Sequence, residues 1–302
     1  MAKINWFPGH MAKSLKLLNA NLAKCDYVIE TCDSRLPASS RNPQLSKILA
    51  NKKRMLLLTK SDLADPKETE KWVNYYSKLD DQLLTSSLAV DLFNNSDIKK
   101  IHSTIIKDNK HLIQKAKDRG RKIRPIRVMI NGIPNTGKST LINRLVGKKS
   151  TQVSNRPGVT RSIQWVRAAT DFELMDTPGI LHPSLETVAE QLNLAISGAI
   201  KDDVLPIIEV ACGLIIILCQ AYPRLMVNKY LLDLPSSLDY SNWAVPYEFL
   251  QDISYRLNLV KSGNKPDLER TARRLIRDYR QGKLGALSLE FIDQTIIYPK
   301  SI

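Results

Sequence analysis

The chain has 302 residues, 43% of them hydrophobic, which allows one large domain or two ordinary ones with a proper core. Lys and Arg number 45 against 30 Asp and Glu, a net charge of +15 that points to a polyanion, nucleic acid first, as a partner. The four cysteines, Cys25, Cys32, Cys212 and Cys219, have neither Cys-x-x-Cys spacing nor a nearby His, which argues against zinc and for reduced, buried thiols.

The first half alternates strand and helix patterns. Tyr27–Cys32 and Arg54–Leu58 read as strands. Asp65–Leu79 reads as a helix opened by Asp65-Pro66, with proline at its first position. Gln82–Thr85 reads as a short strand, and Ser96 as the cap of a helix running towards Lys117 that Gly120 ends. Ile126–Asn131 is a strand, and a helix follows from Lys138 to about Val146. Ser162–Ala169 and Phe172–Asp176 read as an antiparallel pair turned at Thr170-Asp171. Alternation of this kind implies a mostly parallel, doubly wound sheet with helices on both faces, an α/β fold.

After Pro183 the strand signals stop. Leu185–Ser197, Asp203–Cys219, Pro246–Asn258 and Pro266–Arg280 read as helices. The spacing therefore predicts an α/β domain over 1–183 and an all-α domain over 184–302. The N-terminus, MAKINWFPGH, has neither an apolar signal run nor a long Arg/Ser-rich amphipathic stretch. The apolar run around Gly213–Cys219 is too short to span a bilayer. A cytoplasmic location, with no membrane partner, is the expectation.

Gly132-Ile-Pro-Asn-Thr-Gly137-Lys138-Ser139 fits G-x-x-x-x-G-K-[ST], after a strand and opening a helix. Glycines let backbone N–H groups turn inward around phosphate oxygens. Lys138 should reach the β- and γ-phosphates and Ser139 should hold Mg²⁺. Asn135, Thr136, Gly137 and Thr140 complete the phosphate-binding set. Asp176-Thr177-Pro178-Gly179 follows a strand and fits a D-x-x-G switch. There Asp176 faces Mg²⁺ through water, and the Gly179 amide senses the γ-phosphate. Thr160, in Pro157–Arg161, is placed to complete the Mg²⁺ shell. Ile180 and Leu181 stand where a Ras-type enzyme carries its water-orienting glutamine, so intrinsic hydrolysis should be slow.

Thr59-Lys60-Ser61-Asp62 ends a strand and matches the guanine-reading tetrad Asn-Lys-x-Asp except at its first residue. The Asp62 carboxylate would accept from the guanine N1–H and exocyclic amine, a donor pair that adenine lacks. Lys60 would lie along the base, and Thr59 would bond backbone with one hydroxyl in place of an amide. Ser86-Ser87 is read as the place where a backbone N–H meets guanine O6. The tetrad precedes the phosphate loop, whereas in an ordinary GTPase it follows. The order is that of a circularly permuted P-loop GTPase.

Trp6-Phe7-Pro8-Gly9-His10-Met11 and Asp33-Ser34-Arg35-Leu36-Pro37, with these motifs, closely resemble the RbgA/YlqF family of circularly permuted ribosome-biogenesis GTPases, whose mitochondrial relatives are the Mtg-type proteins. The motifs cover the chain to about residue 185, and the likeness continues less specifically through the helical region. The resemblance implies binding to immature large ribosomal subunits and their rRNA, not DNA, with GTP hydrolysis stimulated by the particle. It also makes His10 a candidate catalytic group beside Lys138 and Thr160. A capping or RNA-contacting role is the other reading of His10. The P-N-x-G-K-S stretch resembles loops of cation-dependent GTPases, in which the residue matching Asn135 helps bind K⁺. GTP or GDP, Mg²⁺ and K⁺ are the expected ligands. An RNA-binding scaffold with incidental hydrolysis is the alternative.

Lys107–Arg127 holds nine Lys/Arg against two Asp, in the segment that permutation makes into a covalent bridge. It reads as a flexible stretch contacting RNA phosphates. Arg270, Arg273, Arg277 and Arg280 recur at helical steps, flanked by Arg274 and Lys283, and read as an arginine stripe without paired Glu, also for phosphates. Lys3, Lys13, Lys16 and Lys24 are expected to add a third contact.

Overall fold

The structure, a computed structural model, describes residues 9–49, 51–147, 164–168, 171–181, 185, 187–234, 239–240 and 242–299. These fall into two compact units, one on either side of the chain's passage at residue 183.

The first unit runs α1 (Gly9–Leu22), β1 (Tyr27–Asp33), α2 (Pro43–Ile48), β2 (Arg54–Thr59), α3 (Pro66–Ser77), β3 (Leu84–Val90), α4 (Asn95–Asp108), α5 (Lys110–Asp118), β4 (Ile126–Gly132), α6 (Lys138–Val146), β5 (Gln164–Ala168) and β6 (Phe172–Asp176). The strands form one sheet in the order β3-β2-β1-β4-β6-β5. Every neighbouring pair is parallel except β5 with β6. β1 and β2 are buried along their whole length, as central parallel strands covered on both faces must be. Their side chains alternate between the two faces. Ile29, Met55 and Leu57 pack with Ile101 and Ile105 of α4 and with Leu141 and Ile142 of α6. Cys32, Leu56 and Leu58 pack on Trp72 and Tyr76 of α3.

From β4 the chain moves to β6 and β5 on one side, while β1, β2 and β3 lie on the other. Counted from β4, this is the strand order of an unpermuted doubly wound sheet. The reversal between β4 and β1 is where such a sheet opens a ligand crevice at its carboxyl ends. The register puts the motif ends side by side. Asp33 is level with Thr59, Thr31 with Gly132, Ile130 with Asp176 and Thr59 with Val90.

Three expectations for this unit change. The strand placed at Gln82–Thr85 runs from Leu84 to Val90. The helix expected from Ser96 to Lys117 is two helices. Asn94 caps the first by accepting from the Ser96 N–H at 2.9 Å. Buried Asn109 ends it by turning its side-chain amide onto the Ile105 carbonyl at 2.9 Å, a local bond that competes with helix propagation. The basic bridge is consequently part helix, α5, and not a flexible stretch throughout. Asp65 caps α3 as expected, accepting from the Lys67 and Glu68 N–H groups.

The second unit contains α7 (Val188–Ser197), a 3₁₀ turn at Asp202–Val204, α8 (Ile207–Ala221), α9 (Pro223–Tyr230), α10 (Ala244–Arg256), β7 (Val260–Lys261), β8 (Lys265–Pro266) and α11 (Leu268–Arg280). Pro206 divides the helix expected over Asp203–Cys219, and α9 was not expected. The β7–β8 hairpin departs from an all-α unit, though two-residue strands leave no alternation to detect. α8 is apolar around almost its whole circumference and is the central helix, with α7, α9, α10 and α11 against it. Among the described residues no single helix is long and apolar enough to cross a membrane.

The arginine stripe is broken up by its surroundings. Arg280 turns inward, donating to the Ile196 and Ala195 carbonyls at 2.8 and 2.9 Å and gripping Asp202 with two nitrogens. It serves the C-terminal end of α7, where carbonyls lack helical partners and a cation is favoured. Arg273 pairs with Glu269 four residues earlier, and Arg274 with Asp278. The reading of an unpaired stripe is corrected on both counts. Arg270 and Arg277 remain exposed on α11.

Candidate functional site

The phosphate loop hangs between Gly132, the last residue of β4, and Lys138, the first of α6. Its shape demands its residues. A Cβ on Gly132 would come within 2.4 Å of both the Thr31 carbonyl oxygen and its Oγ1, and backbone cannot yield that far. Gly137 and Asn135 take left-handed conformations, at φ 85° and 62°. The N-terminus of α6 has no side-chain cap, so its first N–H groups face the crevice with the positive end of the helix.

Hydroxyls brace the loop. Thr136 Oγ1 donates to the Ile133 carbonyl at 2.9 Å and lies 2.7 Å from Thr31 Oγ1. Lys138 is buried and donates through Nζ to the same Ile133 carbonyl at 2.6 Å. Burial pushes its pKa down to about 8, against the opposing pull of Asp176 and with a smaller push from Lys60. The loop thus holds its lysine folded across itself, beside a buried carboxylate.

Asp176 ends β6 at 4% exposure, and Thr177 fixes the turn by donating to the Ile130 carbonyl at 2.7 Å. Gly179 lies directly on the phosphate loop. A Cβ there would sit 2.7 Å from the Pro134 nitrogen. The Ile180 N–H donates to the Gly132 carbonyl at 3.3 Å, and Asn42 Nδ2 to the Ile180 carbonyl at 3.1 Å. Ile180 is fully buried, and its aliphatic side chain has no group with which to orient a water.

The tetrad meets the loop through Thr59. Its buried Oγ1 is 2.9 Å from the Thr136 carbonyl and 3.0 Å from the Cys32 carbonyl. A hydroxyl has one proton to divide between these acceptors, where an asparagine amide has two. Lys60 takes a left-handed conformation and places Nζ 2.8 Å from Asp33 Oδ2. Asp33 is also gripped by Arg35, Nε on Oδ1 at 2.9 Å and Nη2 on Oδ2 at 2.7 Å. Burial alone would raise the Asp33 carboxyl, but Arg35 and Lys60 overcome it and hold the group well below the usual carboxylate range.

Asp62 stands exposed in a 3₁₀ turn, Ser61–Leu63. Partial burial raises its carboxyl, and the charge of Asp91 raises it further. The register of β3 bears on the expected O6 contact. Ser86 and Ser87 lie inside β3, level with Met55 and Leu56. Val90 is the residue level with Thr59, and Asp91 and Leu92 follow it. At about 3.3 Å per residue, Ser87 is about 10 Å from the strand end that borders the crevice. The assignment to Ser86-Ser87 is corrected for this reason.

Ser139 and Thr140 lie in the first turn of α6. His10 lies in α1, with its side chain outside the described residues, as is all of Thr160. Sequence reading gave Asp33 and Arg35 no role and missed Thr31 entirely. A buried hydroxyl brace leaves no local signal, whereas Asp-Ser-Arg beside a strand end does. Among the described residues no cluster of three His, Cys, Asp or Glu could hold a metal. The hard oxygen donors at hand, the Ser139 hydroxyl and the Asp176 carboxylate, suit Mg²⁺ that keeps phosphate and water ligands.

A family model described as 50S ribosome-binding GTPase matches residues 127–239. Ribosome biogenesis GTPase A of Priestia megaterium is 39% identical over 293 residues, covering 95% of this chain and 96% of the relative. The protein of that name from Bacillus pumilus is 38% identical, with 95% and 98% covered. Mouse mitochondrial ribosome-associated GTPase 1 is 33% identical, with 94% and 89% covered. The structure of GNP-bound YlqF from Thermotoga maritima aligns with a TM-score of 0.60 at 24% identity, over 96% of this chain and 100% of that one. That likeness carries the fold.

Proposed function

The chain belongs to the ribosome biogenesis GTPase A family, and we propose that it hydrolyses GTP during late assembly of the large ribosomal subunit, bound to a precursor particle through rRNA. The observation that carries the reading is the convergence of motifs from either side of the permutation bridge at the carboxyl ends of one sheet. There the tetrad's Thr59 hydroxyl meets the phosphate loop's Thr136 carbonyl at 2.9 Å.

In this reading Lys138 leaves the Ile133 carbonyl for the β- and γ-phosphates. The α6 N–H groups and those of Asn135–Gly137 cradle the phosphate oxygens, and the Gly179 N–H reports the γ-phosphate. Ser139, Asp176 and Thr160 would hold Mg²⁺, which would neutralise phosphate charge when bound. Asn135 would help hold K⁺. Asp62 reads the guanine edge, Lys60 lies along the base, and the end of β3 at Val90–Asp91 borders O6. His10 is the candidate catalytic group that the family resemblance supplies. Buried Ile180 cannot orient that water, so turnover by the protein alone is slow and the particle completes the site.

Two measurements test this. Tagged protein carrying a non-hydrolysable GTP analogue is expected to sediment with large-subunit precursors and to leave them with GDP. Its absence from those fractions, with the protein folded, overturns the ribosomal assignment. The second measurement concerns Lys138. Phosphate stabilises the ammonium form, so nucleotide binding raises a pKa that stands at about 8 in the free protein. Calorimetry near pH 8.5, in buffers of differing ionisation enthalpy, should show net proton uptake. Affinity should hold below pH 8 and fall above it, by at most about tenfold per pH unit. Affinity unchanged from pH 7 to 9 would contradict the role given to Lys138.

A further inference from the structure

Between α5 and the segment that returns to β4 lies a cavity of about 350 Å³, within the size range of small-ligand sites. Its wall carries the cations Lys115, Arg119, Arg121, Lys122 and Arg124 and a single acid, Asp26. Asp26 is fully engaged. Its oxygens accept from both terminal nitrogens of Arg124, at 2.7 and 2.8 Å, and from the Arg127 N–H at 2.9 Å. Lys115, Arg119, Arg121 and Lys122 have no acidic partner among the described residues. The remaining lining is aliphatic, from Leu112, Ile113, Ala116, Ile123 and Ile126. Ile123 is 46% exposed, a large apolar side chain left in a strongly basic surface.

An apolar floor under a cationic rim fits a flat, weakly polar group with a phosphate on each side. The cations also continue beyond the cavity along the same bridge, at Lys107, Lys110 and Lys117. A mononucleotide or free phosphate has no use for that track, whereas a phosphodiester chain does. An anionic membrane would need a broad apolar face, and α5 buries no residue and exposes chiefly Lys, Gln and Asp.

We propose that this cavity takes one unpaired nucleotide of a single-stranded RNA segment, its base against Ile113 and Ile123 and its flanking phosphates on Lys115, Arg119, Arg121 and Lys122. The proposal rests on the rRNA reading above and names one place on the protein where the RNA is held. It lies in the stretch that exists only because the chain is permuted.

The test uses the full chain and fluorescent RNA oligomers, single-stranded and fully paired, across a salt series. Replacing Lys115, Arg119, Arg121 and Lys122 together by Gln should lower the slope of log affinity against log salt by ~3 for the single strand, about 0.7 for each phosphate no longer neutralised. Ala116→Leu narrows the cavity without changing charge. It should weaken single-strand binding roughly tenfold, the size of one base-stacking interaction, and leave the slope and duplex binding alone. GDP affinity and the melting temperature should be unchanged in both variants, which reports an intact fold. An unchanged slope in the first variant, or unchanged single-strand affinity in the second, overturns the proposal. So does cavity-dependent binding to phosphatidylglycerol vesicles in place of RNA, or equal competition by millimolar inorganic phosphate. If the wild type fails to sediment with ribosomal particles, the ribosomal reading fails. If wild type and both variants sediment and bind RNA alike, the cavity proposal alone fails.

Discussion

Asp62→Asn is expected to weaken GDP and GTP binding by about a hundredfold to ten-thousandfold and to gain xanthine nucleotides in exchange. Guanine presents two donors to this position, and a carboxylate accepts from both. Each hydrogen bond to a charged group contributes about 1.5–3 kcal/mol, so losing two gives that range. Asparagine offers one acceptor and one donor, and its donor confronts the guanine exocyclic amine. Xanthine carries an oxygen there and pairs with it. The 3₁₀ turn holding Asp62 is set by backbone bonds, Leu63 N–H to the Lys60 carbonyl at 3.0 Å among them, which the substitution leaves in place. Competition titration with GDP and XDP measures the exchange. Equal GDP affinity in the variant and the wild type would show that the base is read elsewhere.

The second large effect belongs to Asp33. Its side chain is 4% exposed, that of its partner Arg35 is 1% exposed, and Lys60 shares the same carboxylate. Asp33→Asn leaves a guanidinium buried without its counter-charge, a defect that costs about 3–5 kcal/mol. It also frees Lys60 from the position from which it would lie along the base. Unfolding in urea should show the loss of stability, and GDP titration a fall in affinity of about tenfold. Replacing both partners, Asp33→Leu with Arg35→Met, should recover much of the stability, because no charge is then stranded. It should not recover GDP affinity, since Lys60 still lacks its anchor. The pH dependence has a defined sign. A carboxylate held below its ordinary pKa stabilises the fold above about pH 4 and loses that contribution as the pH falls further. Wild-type stability should therefore drop below pH 4 more steeply than that of Asp33→Asn.

Much of this site was legible in the chain because its parts are local. Gly137-Lys138-Ser139 after an apolar strand is a short-range pattern, and α6 begins and ends where the spacing predicts. Thr59–Asp62 reads as a strand end followed by a turn, which is what forms. The permutation was legible from motif order, and the sheet order agrees with it. What failed depends on tertiary packing. Leu84–Val90 contains two serines and only partial burial, so its length is set by pairing with β2 and not by its own pattern. That error moved the O6 contact to Ser86-Ser87. Arg280 reads as surface by helical periodicity, yet the open carbonyls at the end of α7 draw it inward. Asn109 looks unremarkable in a polar helix until its burial gives it a single partner, the Ile105 carbonyl.

The role of Thr59 shows how a departure from a motif can be judged. Its hydroxyl still spans from tetrad to phosphate loop, and only the division of one proton between two carbonyls separates it from an amide. In the proposed reading guanine is recognised by Asp62, while Thr31, Thr59 and Thr136 together brace the loop. The site should thus be weaker than one with asparagine but of the same specificity.

A particle-activated guanine nucleotide hydrolase is tested at its centre by phosphate release from GTP and from ATP, with and without large-subunit precursors, in K⁺ buffer. Release from GTP alone should be slow, with a large acceleration by the particle, none from ATP, and loss of the accelerated rate in Lys138→Ala. Equal turnover of ATP, or a GTP rate indifferent to both the particle and Lys138, would show that the chain is not such an enzyme.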